Sequence, residues 1–457
     1  MRTKITLCFV ALIGAVIYVQ AQAQNPECAT NLSIFAEHAK VKNYDAAYEP
    51  WQMVKNNCPD LNLAIYVYGE KILAHKIEKA SGAEKTKYIN DLMALHDASI
   101  KYYPKKYTQA GVAIDKAILM YDEKLGTDEE LYKTLHNAFE KDKKNFKNPK
   151  ALYLYFSTLV DLHNAGKKEL QEVFDTYDDV TERIDDEKKE LLKVIDGLLP
   201  KEETGNLTSK EQKKLNVNRT NAEAFDQVSA SIDGKLGALA DCDKLIPLYT
   251  NNFPAKRNDA VWLKRAANRM DAKECSDDPL FIEIVEALHR LDPSAKSAYY
   301  LGFLNDKKGN ATEAIKYYDE SLKLETDTYE KAKTALKIAY KYKTRGQKST
   351  ARNYARKALD YQPSLGRAYL LMANLYAGSA NDCGNTSFEK RAVYWLAADT
   401  ARRAGQVDSS LKDEAAKAVN GYIGRAPSKT DIFQEGMAGK TVQFSCWIGT
   451  SVKVPSL

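Results

Sequence analysis

The chain has 457 residues, of which 28% are charged and 44% hydrophobic. This ordinary globular composition excludes a disordered or collagen-like chain. The net charge of +5 comes from 67 basic and 62 acidic residues, which argues against a dedicated nucleic-acid-binding protein with a strongly basic face. At about 150 residues per domain, the length predicts about three domains.

The N-terminus has the pattern of a secretory signal peptide at residues 1–23. Arg2 and Lys4 give a positive start, residues 5–19 form an apolar run, and residues 21–23 (Ala-Gln-Ala) fit a cleavage site. The alternative is an uncleaved anchor, but the run is shorter than the ~20 residues that span a bilayer. We therefore predict an exported chain with no transmembrane span after cleavage, periplasmic or peripheral to the outer membrane.

Cysteine usage agrees with export. Cleavage would remove Cys8 and leave an even number of cysteines, which in an exported chain predicts disulfide bonds. The sequence has no CxxC or HExxH motif and its histidines are scattered, so we predict no metal site. The six remaining cysteines are Cys28, Cys58, Cys242, Cys275, Cys383 and Cys446.

Small and apolar residues recur at fixed steps of 7, 5, 4, 3 and 5 residues. The steps connect residues 35–59, 302–326 and 339–363, and a fourth copy starts at Ala373 and resumes after an insertion. Small residues at such positions allow two helices to cross closely, while apolar residues three and four apart form one buried stripe. The pattern predicts repeated pairs of antiparallel helices.

This pattern resembles the tetratricopeptide repeat (TPR) family, and the resemblance implies an all-α solenoid of helical hairpins. We expect TPR-like repeats at residues 24–180 and a second TPR block at residues 241–425. Residues 181–240 are highly charged and are interpreted as a long helical hairpin, with a partly flexible charged linker as the alternative. Residues 426–457 lose helical periodicity and are predicted to end in a β-hairpin that turns at Gly449-Thr450.

The repeat geometry suggests how the cysteines pair. In an antiparallel helix pair, the start of the first helix meets the end of the second, which brings Cys28 to Cys58. Stacked repeats place Cys242 near Cys275 at one edge. The remaining bridge, Cys383–Cys446, would tie the tail hairpin to the last repeat insertion, since an isolated hairpin is marginally stable in water.

No catalytic pattern is present: the sequence has no GxSxG, P-loop, GxGxxG or EF-hand loop, so we predict no enzyme activity and no cofactor. TPR proteins bind peptides along the concave face of their first helices. We expect a basic groove with aromatic anchors that suits an acidic or C-terminal peptide segment, with ordinary solvated helix faces as the alternative. The groove residues are Lys296, Tyr299, Phe303, Lys307, Lys333, Leu336, Tyr340, Lys343, Arg367, Leu370 and Asn374.

The segments at residues 241–249, 389–395 and 446–448 resemble exported TPR proteins of Bacteroidota cell envelopes. That resemblance implies a non-catalytic scaffold or adaptor that binds protein partners of periplasmic or outer-membrane-associated machinery. The alternative is a glycan- or peptidoglycan-binding or enzyme-associated envelope protein that uses the solenoid as a frame.

Overall fold

The structure, a computed structural model, describes residues 25–457, and the predicted signal peptide at residues 1–23 lies outside the described residues. The described chain forms two compact units. One contains residues 25–127 and 134–146, and the other contains residues 128–133 and 147–457. Both are helical, and the predicted all-α solenoid of helical hairpins is confirmed.

The first unit begins with two helical hairpins and continues with a further helix. A sixth helix, α6 (Asp128–Lys141), has its residues divided between the two units. The preceding helices are α1 (Pro26–Lys40), α2 (Tyr44–Asn57), α3 (Ala64–Lys79), α4 (Gly82–Tyr102) and α5 (Gln109–Asp122).

Trp51 on α2 organises the core of the first unit. Its indole N–H donates to the carbonyl oxygen of Ile65 over 2.7 Å, and the ring lies against α3. A Cβ on Gly69 of α3 would lie 2.7 Å from the same indole nitrogen, so only glycine allows this approach. Phe35 and Val54 complete a fully buried cluster, as the repeat spacing predicts.

The second unit contains fourteen further helices and two strands among its described residues. The helices before the repeat block are α7 (Pro149–Asn164), α8 (Leu170–Glu203), α9 (Ser209–Leu236) and α10 (Cys242–Lys256). Those of the block are α11 (Ala260–Ala272), α12 (Pro279–Leu291), α13 (Ala295–Lys307), α14 (Ala311–Leu324), α15 (Thr328–Thr344), α16 (Lys348–Tyr361), α17 (Gly366–Ala377) and α18 (Ser387–Val407). After them come α19 (Lys412–Ile423), α20 (Lys429–Gln434), β1 (Thr441–Phe444) and β2 (Thr450–Lys453).

The repeat positions have the roles that their residue types suggest. A Cβ on Gly302 of α13 would lie 2.6 Å from Cδ1 of Tyr318 on α14, so glycine permits this helix crossing. Gly309 and Gly346 end the first helices of two successive hairpins with φ of 80° and 71°, a left-handed conformation that favours glycine.

The long charged helical hairpin is also confirmed, and it consists of α8 and α9. Its first helix begins at Leu170, earlier than the predicted start at residue 181, because the buried apolar residues Val173 and Phe174 extend it toward the N-terminus. Its second helix starts with a capping box between Thr208 and Glu211, which satisfies free N–H groups of the first turn.

The C-terminal β-hairpin is present, but its turn differs from the prediction. Phe444 pairs with Thr450, so residues 445–449 form the loop and Gly449-Thr450 is not a two-residue turn. The longer loop allows Cys446 to turn away from the strand, and the Gly449 N–H donates to its carbonyl oxygen over 3.0 Å. The hairpin packs onto the unit through Phe444 and Val452, which are buried.

The six cysteines of the described chain form three disulfide bonds. The structure joins Cys28 to Cys58, Cys242 to Cys275 and Cys383 to Cys446, with Cα–Cα distances of 6.4, 5.5 and 5.5 Å. The first bridge closes the α1–α2 hairpin. The third connects the loop before α18 to the loop of the β-hairpin.

Candidate protein-binding surface

The predicted groove residues lie on three successive first helices of the second unit. Helix α13 carries Lys296, Tyr299, Phe303 and Lys307; α15 carries Lys333, Leu336, Tyr340 and Lys343; α17 carries Arg367, Leu370 and Asn374. Each set thus lies on the first helix of a helical hairpin. The structure divides them into buried, covered and open positions.

Three of the predicted contact residues belong to the core, so their assignment as exposed anchors is corrected. Tyr299, Phe303 and Leu336 are only 2%, 3% and 9% exposed. The Tyr299 ring lies 5.8 Å from that of Tyr318, and the Phe303 ring lies 6.0 Å from that of Phe281. The two rings are buried between helices because α13 has neighbouring helices on more than one side.

Helix α8 covers the part of the groove around Lys333. The Lys333 ammonium lies 2.8 Å from a carboxylate oxygen of Asp185, and Lys189 pairs with Asp327 at the start of α15. Farther toward the start of α8, the guanidinium of Arg265 on α11 contacts acidic residues of α8. Lys333 is therefore engaged within the chain and does not face an open groove.

A buried ion pair fixes α8 to α11. Arg269 Nη2 lies 2.5 Å from Asp178 Oδ1, and the two side chains are 5% and 12% exposed. The Arg269 guanidinium also donates to the Phe174 carbonyl oxygen over 3.0 Å and lies 4.5 Å from the centroid of the Phe174 ring. Leaving either charge buried without its partner would be costly. We therefore regard α8 as a permanent part of the unit.

Acidic side chains of the chain itself thus occupy the part of the groove around Lys333. Asp178, Glu182 and Asp185 on α8 follow helical spacing and share one face. Arg265 contacts Asp179 over 2.8 Å and Glu182 over 3.1 Å. The prediction of a separate hairpin at residues 181–240 did not include this contact between α8 and the repeat block. The sequence feature that could have indicated the contact is the periodic acidic face of α8, which is complementary to the predicted basic groove.

The end of the groove formed by α15 and α17 remains exposed. Tyr340 is 37% exposed, the Arg367 side chain is 57% exposed, and Asn374 is also exposed. The Lys343 ammonium lies 5.9 Å from the centroid of the Tyr340 ring, while Leu370 is half-buried. We call these five residues the open groove surface.

The neighbouring helix α19 gives the open groove surface a mixed electrostatic character. Arg367 Nη1 lies 3.6 Å from Glu414 Oε2 on α19, and both side chains are more than half exposed. Burial raises the pKa of the Tyr340 hydroxyl, and the positive charge of Arg367 opposes that shift. Lys307, the remaining predicted residue, lies apart and pairs with Asp277 over 2.5 Å.

Within residues 25–457, no group of three or more His, Cys, Asp or Glu side chains is arranged to hold a metal ion. In the same part of the chain, no helix is both long and apolar enough to cross a membrane.

No family model matches the chain, but curated proteins include relatives of it. The chain is 30% identical over 132 residues to the photosystem I assembly protein Ycf3 of Cyanophora paradoxa, which covers 26% of this chain and 76% of that protein. It is 28% identical over 162 residues to Ycf3 of Prochlorococcus marinus strain SARG, covering 32% and 94%.

Two solved structures match over most of this chain. A tetratricopeptide repeat protein from Parabacteroides merdae covers 68% of this chain and 97% of its own, with 9% identity and a TM-score of 0.25. Yeast Tom70 covers 89% and 82%, with 13% identity and a TM-score of 0.26. From its repeats and its curated relatives, the chain belongs to the tetratricopeptide-repeat family.

Proposed function

We propose that the protein is a non-catalytic scaffold or adaptor that is exported and binds protein partners of the cell envelope. Its family and the assembly role in the names of its relatives support a protein-binding function. The signal-peptide pattern at residues 1–23 and three paired disulfides support an oxidising compartment outside the cytoplasm. The same features support our proposal that the protein resides in the periplasm or at the periphery of the outer membrane.

The binding surface that we propose is the open groove surface. Its main support is the exposed pair of Tyr340 and Arg367 on successive first helices, because tyrosine and arginine are the residue types that most often dominate binding energy. Two basic residues near one aromatic ring favour an acidic or C-terminal peptide segment, which long-range charge attraction would also steer.

Site-specific photo-crosslinking tests this surface. A photoreactive amino acid at Leu370 should crosslink protein partners in intact cells, while the same group at Lys316 should not. Lys316 is exposed on α14 and pairs with Glu313 of its own helix, so it reports on random contacts. Adding Arg367→Glu should reduce the crosslinks from position 370, and the matched charge reversal Lys316→Glu should leave them unchanged.

Two results would contradict the proposed surface. One is equal crosslinking from positions 370 and 316. The other is an unchanged set of partners when Arg367→Glu and Tyr340→Ala are combined in a protein that retains its helical circular dichroism. Exposed substitutions of this kind usually change stability by no more than ~0.5 kcal/mol, so loss of partners would not reflect unfolding.

The export proposal has its own measurement. The protein recovered from the cell envelope should lack residues 1–23, and its six remaining cysteines should resist alkylation until a reductant is added. Intact mass with and without reductant reports both properties. A retained N-terminal segment, or cysteines that react without reduction, would contradict export and oxidation respectively.

A further inference from the structure

A polar cavity lies where α8 meets the first helices of the repeat block. Its volume is about 320 Å³, and its walls come from α8, α11, α13 and α15. The cavity is separate from the open groove surface, because Tyr340, Arg367 and Asn374 do not line it. Its size suits a small molecule or a single charged group.

Each acidic side chain of the cavity wall has a basic partner within the chain, and Lys333 is shared by two of them. Asp178 pairs with Arg269, Glu182 pairs with Arg265, and Lys333 lies 2.8 Å from Asp185 and 3.5 Å from Glu330. These pairs account for the carboxylates of the wall. The remaining polar groups therefore decide what the cavity can bind.

A buried hydrogen bond leaves an amide donor in the wall. The Tyr300 hydroxyl, on a fully buried ring, donates to the side-chain oxygen Oδ1 of Asn268. Since that oxygen is occupied, the Nδ2 group of Asn268 is left with two N–H donors. Among the described residues, no acceptor engages this nitrogen, and Asn268 lines the cavity.

Two lysines and a second tyrosine add further donors. The Lys296 ammonium lies 5.8 Å from the centroid of the Tyr300 ring, and the Lys337 ammonium lies 5.7 Å from that of Tyr299. The two rings are 5.3 Å apart, so both ammonium groups lie beside one aromatic pair. The Tyr299 hydroxyl has no hydrogen-bond partner within residues 25–457, although its side chain is only 2% exposed.

The positive charge of these lysines is compensated only by more distant carboxylates, those of Asp271 and Glu330. Lys296 forms no ion pair within the described chain, and the nearest carboxylate oxygen to Lys337 is that of Asp271 at 3.8 Å. Burial lowers the pKa of Lys296 to about 7, and the positive charges of Lys337 and Lys333 add to this effect, while the carboxylates of Glu330 and Asp271 oppose it. A bound anion would favour the charged form of Lys296 and accept the unused hydrogen bonds.

We propose that this cavity binds a small oxyanion, a phosphate or carboxylate group, through Asn268, Lys296, Tyr299 and Lys337. All four side chains are donors, and none of them is needed for an ion pair that holds α8 in place. The geometry favours a small free ligand because α8 covers the cavity on one side. This inference is independent of the proposed protein-binding function.

The test uses the full mature chain with its lysines labelled by reductive ¹³C-methylation. Inorganic phosphate and succinate are titrated separately, and the pKa of Lys296 is followed by NMR. Binding should move the Lys296 resonance saturably and raise its pKa by about one unit or more. The probe that saturates at the lower concentration identifies the source of the oxyanion as phosphate or carboxylate.

Matched variants decide whether the cavity is responsible. Asn268→Asp keeps an acceptor for Tyr300 but replaces the two donors with a negative charge, and should weaken binding at least tenfold. Lys337→Met should weaken it as well, whereas Lys316→Met on α14 should not. Binding by the Asn268→Asp and Lys337→Met variants with unchanged affinity, measured by calorimetry, would overturn the proposal.

A lack of any saturable change with either probe up to tens of millimolar would also overturn it. Circular dichroism of each variant checks that the helices are retained. If Asn268→Asp does not fold, Lys337→Met and Lys296→Met carry the test, since both replace a charged group by an apolar one of similar length.

Discussion

Arg269 on α11 and Asp178 on α8 form a buried ion pair with a distance of 2.5 Å between Nη2 and Oδ1. The pair joins the long charged hairpin to the first helices of the repeat block. It also explains why the groove predicted from sequence is partly closed, because the helix that carries Asp178 continues to Asp185 and covers Lys333. Burial raises the pKa of Asp178, and the attraction of Arg269 opposes this rise.

Replacing one member of the pair should destabilise the second unit strongly. Asp178→Asn leaves the Arg269 guanidinium buried without a counter-charge, and such a loss typically costs ~3–5 kcal/mol. The double variant Asp178→Leu with Arg269→Met removes both charges and should recover part of that loss. The free energy of unfolding from urea titrations measures the effect.

An exposed pair provides the control for this comparison. Lys316 and Glu313 are 3.2 Å apart on α14 with side chains 65% and 49% exposed, and Lys316→Met should change the free energy of unfolding far less than Asp178→Asn. If Asp178→Asn costs no more than this exposed substitution, the buried pair does not hold α8 in place.

Close packing of a repeat hairpin should make Gly302 intolerant of any side chain. Gly302→Ala would place a Cβ 2.6 Å from the Tyr318 ring and 3.2 Å from the Ala314 carbonyl oxygen. Overpacking of this kind costs ~1–3 kcal/mol. Thermal unfolding should show a lower midpoint for this variant.

Gly234 on α9 is a matched control, since it is also a helical glycine but a Cβ added to it would have no neighbouring atom within 4 Å. Gly234→Ala should be neutral or stabilising by up to ~1 kcal/mol through helix propensity. Equal effects of the two substitutions would mean that the α13–α14 crossing does not require glycine.

Much of the fold could be predicted because repeat positions are local. The spacing from Ala339 to Pro363 is set by one helix pair, so it shows in the sequence without knowledge of distant contacts. The covering of Lys333 by Asp185 could not be predicted in the same way. It depends on residues 148 positions apart whose charges look like ordinary solvated helix faces.

The exposure of aromatic residues in the groove could not be predicted from the sequence either. Phe303 and Tyr340 have equivalent places on their first helices, one residue after Gly302 and Ala339, yet one is 3% and the other 37% exposed. Neighbouring helices on both sides of α13 decide this difference, and helical periodicity alone contains no information about them. The sequence therefore predicts which helices form a groove, but not which of their side chains stay open.

The Cys383–Cys446 bridge and noncovalent contacts should both hold the C-terminal tail on the second unit. Cys446→Ser would remove a cross-link that contributes ~2–4 kcal/mol and should make residues 440–457 the first site of limited proteolysis. The repeats should keep their melting midpoint within a few degrees, since solenoid repeats depend mainly on their neighbours.

Trp447 should retain part of the docking in that variant. Its indole N–H donates to the Ser379 hydroxyl over 3.2 Å, and the Arg352 guanidinium lies 5.2 Å from its ring. Adding Trp447→Ala to Cys446→Ser should therefore accelerate cleavage further, whereas Trp447→Ala alone should have a smaller effect. Identical cleavage of the wild type and the double variant would show that neither contact holds the tail.

The first unit should respond to pH through Glu70 on α3. Burial and the nearby charge of Asp115 raise the pKa of Glu70 to about 7, from an ordinary value of 4.5. The folded unit thus binds more protons than the unfolded chain between about pH 4.5 and 7, so this carboxyl contributes less stability as pH rises through that window. Glu70→Gln should stabilise the unit above pH 7, and the gain should disappear below pH 4.5.

His96, whose Nδ1 lies 3.9 Å from Glu70 Oε1, changes stability in the opposite direction. Burial, with Lys116, lowers the pKa of His96 to about 4, so its contribution is lost as pH falls from about 6.5 to 4. At pH 8 His96 is neutral in both the folded and the unfolded protein, so it does not contribute to the difference between Glu70→Gln and the wild type. Hydrogen exchange of α3 amides provides the measurement, and equal protection in the two proteins at pH 8 would show that Glu70 is not destabilising when charged.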